Sequence, residues 1–269
     1  MSAGPRPAVI VFCRAPVPGR TKTRLSPAYP PEQAAALGVA MLLDVTAALS
    51  SGELELSAAV ARAEDRGPVA ALVPPDCAVA VQSDGDLGQR MRNAIRRGLG
   101  DGHPAVALVG SDCPEVTVDL VGAAFTALKD DADLVISPSG DGGYSLIAAA
   151  SDIGPVFEGI AWSTARVIDM TRAAAAAADL RMVELGPLND VDRAEDVARL
   201  AGDSLRPSAA AVRTRAVATA LAARDRDWHS QVESANHPSL YSRFDEEVAC
   251  RSTSTRARRA ERHSRSCRA

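Results

Sequence analysis

The chain has 269 residues, of which 46% are hydrophobic and only 3% aromatic, and its net charge is −4. This length and apolar content suffice for one large α/β domain, alone or with an appendage. No uninterrupted apolar run approaches the ~18 residues of a membrane span, so we expect no span. The five cysteines (Cys13, Cys77, Cys113, Cys250 and Cys267) are scattered and form no C-x-x-C motif, which favours a reduced, cytoplasmic protein.

Strand-like apolar runs alternate with helical patterns along most of the chain. The predicted strands are Ala8–Cys13, Leu54–Val60, Ala78–Gln82, Ala105–Val109, Asp133–Ser137, Tyr144–Ala149 and Arg181–Leu185. The predicted helices are Pro31–Ser50, Leu87–Leu99, Val118–Lys129, Thr164–Ala178 and Ala194–Ala201. This alternation predicts a single three-layer α/β/α domain, spanning residues 1–202, around a mainly parallel sheet covered on both faces.

The composition changes beyond Gly202. Residues 203–224 predict a linker followed by an Ala-rich helix, and residues 225–269 predict an Arg-rich tail. The last 19 residues contain seven Arg and almost no apolar side chain, so we expect the tail to be disordered. A basic tail can contact nucleic acid, but no aromatic side chain lies between these arginines for base stacking, and we do not expect a nucleic-acid partner.

A short basic loop follows the first predicted strand. Arg14, Arg20, Lys22 and Arg24 lie on a turn that two prolines and a glycine stiffen, with no acidic residue among them. Lys22 is one of only two lysines in a chain with 28 arginines, and a lysine offers a compact point charge to a phosphate oxygen. The loop therefore predicts a polyphosphate site, although a solvated charged loop is the simpler alternative.

Acidic residues follow three other predicted strands. Asp112 follows the fourth strand, Asp141 follows the fifth, and Asp190 and Asp192 follow the seventh. Ligands of such sheets bind at the carboxyl ends of the strands, so we expect a Mg²⁺ or Mn²⁺ ion shared between these carboxylates and a nucleotide. Asp112 and the Asp190/Asp192 pair can instead be simple helix caps.

Several other chemistries are excluded. A P-loop needs a glycine directly before its lysine and another five residues earlier, but Thr21 and Pro16 occupy those positions. The G-x-G-x-x-G pattern fails at Ser145. His103 is the only histidine before residue 224, which leaves too few candidates for a serine-type triad or a histidine-rich metal site.

Six motifs in register resemble one protein family. They are VFCRAPVPGRTKTRLSP at 11–27, DLGQRM at 86–91, GSDCP at 110–114, DGGY at 141–144, IAWST at 160–164 and DVDRAED at 190–196. Together they resemble an uncharacterised bacterial family with the glycosyltransferase-A fold, related to phospholactate guanylyltransferase and the molybdenum-cofactor nucleotidyltransferases. The resemblance covers roughly residues 8–201. It implies a nucleotide-diphospho-sugar transferase-like fold.

The resemblance also implies residue roles. The implied phosphate- and nucleotide-binding residues are Arg14, Gly19, Lys22, Arg24, Gln82 and Gly88. The implied metal ligands are Asp112 and Asp192, although Arg193-Ala194 departs from the related Thr-Pro and leaves open whether Asp190 or Asp192 faces the metal. The implied acceptor-binding residues are Asp141, Gly142, Gly143, Tyr144 and Trp162. Lys22, Asp112 and Asp141 are the expected catalytic residues.

These roles predict a metal-dependent transferase with a nucleotide-activated donor and a small-molecule acceptor. The first interpretation is a glycosyltransferase that uses a nucleotide sugar. The second is a nucleotidyltransferase, in which a phosphorylated acceptor attacks a nucleoside triphosphate and pyrophosphate leaves. The third is a nucleotide-binding regulator without catalysis. The same cations and carboxylates serve both transfers, because both stabilise charge that grows on phosphate oxygens.

Overall fold

The computed structural model describes residues 4–50, 53–202 and 210–223. The predicted linker at 203–207, the predicted tail at 225–269, and Cys250 and Cys267 lie outside the described residues.

The strands form one seven-stranded sheet with the order β3-β2-β1-β4-β6-β5-β7. Their bounds are β1 Ala8–Cys13, β2 Glu55–Val60, β3 Ala78–Val81, β4 Val106–Gly110, β5 Leu134–Pro138, β6 Tyr144–Ala149 and β7 Met182–Glu184. All neighbouring pairs are parallel except those that β6 makes with β4 and β5. The predicted mainly parallel sheet is confirmed, with β6 as its one reversed strand.

Seven α-helices accompany the sheet in the described residues. They are α1 Pro31–Leu49, α2 Arg66–Ala70, α3 Leu87–Gly100, α4 Val118–Lys129, α5 Val167–Ala177, α6 Ala194–Gly202 and α7 Val212–Ala222. Six of them match predicted helices. The short α2 was not predicted, since a glycine and a proline fall within its five residues.

Alternation along β1 shows how the two faces of the sheet are buried. Val9 and Val11 pack in the cluster that α1 and α4 cover, whereas Ala8, Ile10 and Phe12 belong to the cluster beneath α3 and α5. The sheet is therefore covered by helices on both faces, as the near-continuous apolar strands predicted.

Helices α6 and α7 form a further cluster on the outer side of α1. The first turn of α7 has no side-chain cap of its own, because Ala211 occupies its N-cap position. Asp44 of α1 takes this role: its carboxylate accepts hydrogen bonds from the backbone N–H groups of Arg213 (3.2 Å) and Thr214 (2.7 Å) and from the Thr214 hydroxyl (2.8 Å). The Ala-rich helix is therefore packed against the body of the fold.

Helix α1 bears on the expectation that the chain has no membrane span. Its 19 residues, with a mean hydropathy of 1.4, are long and apolar enough to cross a membrane by length and composition. However, 67% of that stretch is buried inside the protein, as in the central helix of a core.

Candidate active site

The predicted functional segments meet at the carboxyl edge of the parallel strands. The basic loop leaves β1 there, Asp112 follows β4, and the hairpin 139–143 joins β5 to β6. The segment 186–192 starts beside the edge strand β7 and crosses the sheet to reach β4, where the Val191 N–H donates to the Asp112 carbonyl oxygen at 3.0 Å. The crossing brings residues from opposite ends of the chain into one cleft.

Two apolar contacts hold the basic loop. Gly38 of α1 lies against Pro16, and a Cβ there would approach Pro16 Cβ to 3.2 Å. Leu25 is fully buried in the cluster of α1, α6 and α7. Gly19 has a φ of +73°, as expected for a glycine that turns the backbone, and Lys22 also adopts the left-handed region with a φ of +49°. A non-glycine residue in this region is uncommon, and strained residues of this kind cluster at functional sites.

Lys22 forms the centre of an ion-pair network. Its side chain is only 4% exposed, and Nζ lies 2.8 Å from Asp112 Oδ1, 2.7 Å from Asp192 Oδ1 and 2.7 Å from the Val191 carbonyl oxygen. The second carboxylate oxygen of Asp192 accepts a hydrogen bond from Arg24 at 3.2 Å. The sequence predicted that these residues share a site, but not that the lysine lies between the two aspartates.

The electrostatics of this network favour the charged forms. Burial alone would lower the pKa of Lys22, but Asp112 and then Asp192 hold it above its ordinary value. Burial alone would likewise raise the pKa of Asp192, but the Lys22 ammonium and Arg24 hold it below the usual carboxyl range. The pKa of Asp190 is raised, by burial first and then by the charges of Asp141 and Asp192.

The other loop arginines have different surroundings. Arg20 pairs with Asp65 at 3.0 Å and Glu64 at 3.4 Å, so its charge is already balanced. Arg14 has no ion-pair partner among the described residues, and Arg24 is 60% exposed. Arg14 and Arg24 are therefore the loop cations most available to an incoming anion.

Two cavities meet in the cleft. The first, of about 520 Å³, is lined by the basic loop, Gln82 and Arg90, and we name it the basic cavity. The second, of about 510 Å³, is lined by Asp141, Tyr144 and Trp162, together with Asp190, and we name it the second cavity. Both cavities share the residues Phe12, Arg24, Leu87, Asp112 and Ser163. Asp112 is thus placed where the contents of the two cavities would meet.

Gln82 lines the basic cavity, but its amide is engaged within the protein. Nε2 donates to the Ala59 carbonyl oxygen at 2.8 Å, and Oε1 accepts from Arg90 Nη1 at 2.9 Å. These bonds use one of its two N–H donors and one of the two lone pairs of its oxygen, so the orientation of the amide is fixed while one donor and one acceptor position remain for a base. Arg90 itself was not singled out, although it lies in the DLGQRM motif that pointed to this segment.

Gly88 has a packing role in this structure. A Cβ at this position would come within 2.5 Å of Trp162 Cζ2, so the absence of a side chain lets the indole ring lie against the start of α3. The ring also packs near Phe157, with 6.5 Å between ring centroids. The glycine at position 88 is therefore explained by packing alone, without a nucleotide contact. Trp162 lines the second cavity.

The hairpin 139–143 has the geometry that its glycines suggested. Gly142 has a φ of +87°, and a Cβ there would overlap the Ala165 carbonyl oxygen. Asp141 accepts hydrogen bonds from the Ser139 hydroxyl at 2.5 Å and from the Gly143 N–H at 3.0 Å. The carboxylate is thereby held at the mouth of the second cavity.

Ser163, which lies in the IAWST motif, is a further residue of the cleft. It lines both cavities and has a φ of +63°, the second non-glycine residue of the cleft in the left-handed region. Serine is among the residues that favour turns and caps, so nothing in the sequence distinguished this use.

The cleft offers few carboxylate ligands to a divalent metal ion. In the described residues, no group of three or more His, Cys, Asp or Glu side chains is placed to hold one. Within the expected pair, Lys22 and Arg24 engage both oxygens of Asp192, whereas Oδ2 of the half-exposed Asp112 has no partner among the residues that the structure describes. Asp112 therefore fits a Mg²⁺ or Mn²⁺ ion whose other ligands are phosphate oxygens and water, as is usual for nucleotide sites. The arrangement does not support Asp192 as a ligand.

Residues 42–164 match the model of a protein family described as "Uncharacterized protein conserved in bacteria (DUF2064)". No curated protein matches the chain. A solved structure from Desulfovibrio desulfuricans G20, described as a candidate nucleotide-diphospho-sugar transferase, is 29% identical to this chain. The match covers 86% of this chain and 98% of that one, with a TM-score of 0.73.

A more distant solved structure shares the fold. It is CMP:2-keto-3-deoxy-manno-octonic acid synthetase in complex with CTP, which is 11% identical; the match covers 76% of this chain and all of that one, with a TM-score of 0.51. The mainly parallel sheet is therefore that of nucleotidyl and nucleotide-sugar transferases. The expected fold is confirmed.

Proposed function

We propose that this protein is a metal-dependent glycosyltransferase that transfers a sugar from a nucleotide sugar to a small-molecule acceptor. The observation that carries this proposal is the meeting of two cavities at Asp112, one lined by the loop cations and the other by a fixed carboxylate and an indole ring. A donor and an acceptor need two such compartments with one shared wall. The 29% identical structure described as a nucleotide-diphospho-sugar transferase supports the same class.

In the donor compartment, Arg14 and Arg24 contact the diphosphate. Neither is fully committed within the protein, and guanidinium groups bind phosphate oxygens bidentately. Lys22 has three acceptors for its three ammonium protons, so it acts on the diphosphate through its charge and by orienting Asp112. A divalent ion at Asp112, when bound, neutralises charge on the departing nucleoside diphosphate.

In the acceptor compartment, Asp141 orients the acceptor hydroxyl and Trp162 offers an aromatic face to a sugar ring. The hydroxyl oxygen forms a bond to the anomeric carbon while the bond from that carbon to the phosphate oxygen breaks. The hydroxyl proton passes to a carboxylate of the second cavity. The fixed position of Asp141, held by the Ser139 hydroxyl and the Gly143 N–H, suits this role.

Nucleotidyl transfer is the second candidate, and the basic cavity itself favours it. Five cationic side chains line this cavity: Arg14, Arg20, Lys22, Arg24 and Arg90. That density of positive charge suits a triphosphate better than a diphosphate.

We also propose a cytoplasmic location, in agreement with the free, buried cysteines of the described residues.

Ligand screening separates these functions. Thermal unfolding of the full chain is measured with nucleoside triphosphates and nucleotide sugars, with and without Mn²⁺, and products are read by mass spectrometry. Metal-dependent stabilisation by a nucleotide sugar, with release of nucleoside diphosphate, is expected. Stabilisation by triphosphates alone, with pyrophosphate release, would assign nucleotidyl transfer. Binding without turnover of any acceptor would indicate a regulator.

A matched pair of arginine variants tests the site. Arg14→Gln removes a phosphate contact and should weaken nucleotide binding roughly 10- to 100-fold, since a charge-assisted hydrogen bond contributes about 1.5–3 kcal/mol. Arg97→Gln changes an exposed arginine of α3 outside both cavities and should have no effect. Equal affinities for the two variants would contradict the site.

A further inference from the structure

The three acceptors around Lys22 have a consequence for how a metal ion reaches this site. We propose that the Lys22 ammonium is the resident cation of the Asp112–Asp192 pair, and that a divalent metal joins only together with the nucleotide phosphates, at Asp112 alone. Asp192 is then a positioning residue for Lys22 and Arg24. This inference deepens the proposed function and rests on it for the role of the phosphates.

Charge balance is the first argument. Asp112 and Asp192 contribute two negative charges, and Lys22 and Arg24 contribute two positive charges within 3.2 Å of them. The pair is thus neutralised before any ligand binds. A free divalent cation would gain little electrostatic energy from this neutral group of four side chains, and the Lys22 ammonium between the two aspartates would repel it. Phosphates add the missing negative charge.

Saturation of the ammonium is the second argument. Its three protons meet three oxygen acceptors at 2.7–2.8 Å, and the side chain is 4% exposed. A metal that took both aspartates would leave the buried ammonium with only the Val191 carbonyl oxygen as a partner, which is strongly unfavourable. The backbone at Lys22 is also held in place, because the short helical turn Thr23–Leu25 that follows it is anchored by the fully buried Leu25 side chain.

The two aspartates differ in how many of their carboxylate oxygens are already engaged. Arg24 holds Asp192 Oδ2, and the Asp196 carboxylate accepts the backbone N–H groups of Asp192 and Arg193 at 3.0 and 2.7 Å. Asp192 is thus fixed at side chain and backbone. Asp112 keeps Oδ2 unengaged and its side chain is 46% exposed on the wall that both cavities share. Of these two aspartates, Asp112 is the one that can take a new ligand without losing an ion pair.

Metal binding by the ligand-free protein tests the proposal without any turnover. Mn²⁺ alone is titrated into the full chain and free Mn²⁺ is followed by electron paramagnetic resonance. The wild-type protein should show no binding below the millimolar range, whereas Lys22→Met should gain at least tenfold in Mn²⁺ affinity. Lys22→Arg keeps a cation and should not gain. Submillimolar Mn²⁺ binding by the wild-type protein, or no gain in Lys22→Met, would overturn the proposal.

A second measurement keeps the test decisive if Lys22→Met does not fold. The affinity for inorganic pyrophosphate is measured by calorimetry with and without Mn²⁺, and the ratio of the two affinities reports the metal. Asp112→Asn should reduce this ratio to about one. Asp192→Asn removes a negative charge and releases Arg24, so it should strengthen pyrophosphate binding in the absence of metal, but it should leave the ratio unchanged. A ratio lost equally in both variants would make Asp192 a ligand and refute the proposal. Because pyrophosphate carries neither base nor sugar, this outcome is separate from the failure of the proposed transferase activity.

Discussion

The cap that Asp44 provides for α7 gives a prediction with a defined magnitude. The Asp44 side chain is 4% exposed and accepts four hydrogen bonds, two from backbone N–H groups of the first turn of α7, one from the Thr214 hydroxyl and one from the Arg213 side chain. Asp44→Ala removes the acceptor and leaves the buried Thr214 donors unpaired. Loss of a cap costs about 0.5–2 kcal/mol, and each buried donor left unpaired adds about 1–3 kcal/mol.

We therefore expect Asp44→Ala to lower the free energy of unfolding by about 4 kcal/mol. For a domain of this size such a loss lowers Tm by roughly 10 °C. Urea unfolding followed by circular dichroism measures it. Thr214→Val removes only the hydroxyl bond and should cost about 1 kcal/mol.

The matched control is Asp169→Ala, which removes an exposed carboxylate paired with Arg172 on α5. A surface pair of this kind contributes less than about 1 kcal/mol. If Asp44→Ala costs no more than Asp169→Ala, the cap does not hold α7 to the body, and the reasoning is refuted.

Three further outcomes are expected. Gly142→Ala places a Cβ against a backbone carbonyl at a φ of +87° and should reduce kcat/KM for the acceptor at least tenfold. The control Gly122→Ala, whose new Cβ would have no atom within 4 Å, should leave kcat/KM unchanged. Similar kinetics for the two variants would contradict the hairpin geometry. Because the pKa of Asp190 is raised in the folded protein, its ionised form costs stability at neutral pH, so Asp190→Asn should raise Tm at pH 7. That gain should shrink toward about pH 4, where the unfolded carboxyl also takes up its proton, and a pH-independent Tm difference would argue against it. Burial raises the pKa of both Cys13 and Cys113 to about 12, so neither thiol should react with iodoacetamide at pH 8 until the protein unfolds, as peptide mass mapping would show.

Most of the fold could be predicted from sequence because its signals are local. Apolar runs define the strands, and β1, β6 and α4 have the predicted bounds. The short α2 was missed, since its glycine and proline oppose the helical pattern. The reversal of β6 was also beyond local signals, because strand direction depends on which neighbours pair.

The site was predictable as a set of residues but not as a set of contacts. The loop, Asp112 and the 190–192 segment were placed together because parallel strands share a carboxyl edge. Which oxygen pairs with which cation depends on a separation of 170 residues between Lys22 and Asp192, and no spacing rule covers that distance. The engaged amide of Gln82 likewise depends on Ala59, a strand away.

The same long-range contact bears on how the cleft assembles during folding. The basic loop is synthesised well before Asp192, so an emerging chain carries its cations without their counter-ions until α6 has docked. Closing a loop of 170 residues is slow compared with forming the local β1–α1 contacts. On the proposed function, a polyphosphate needs the completed cleft, so we expect its binding in a refolding experiment to follow the last stage of assembly.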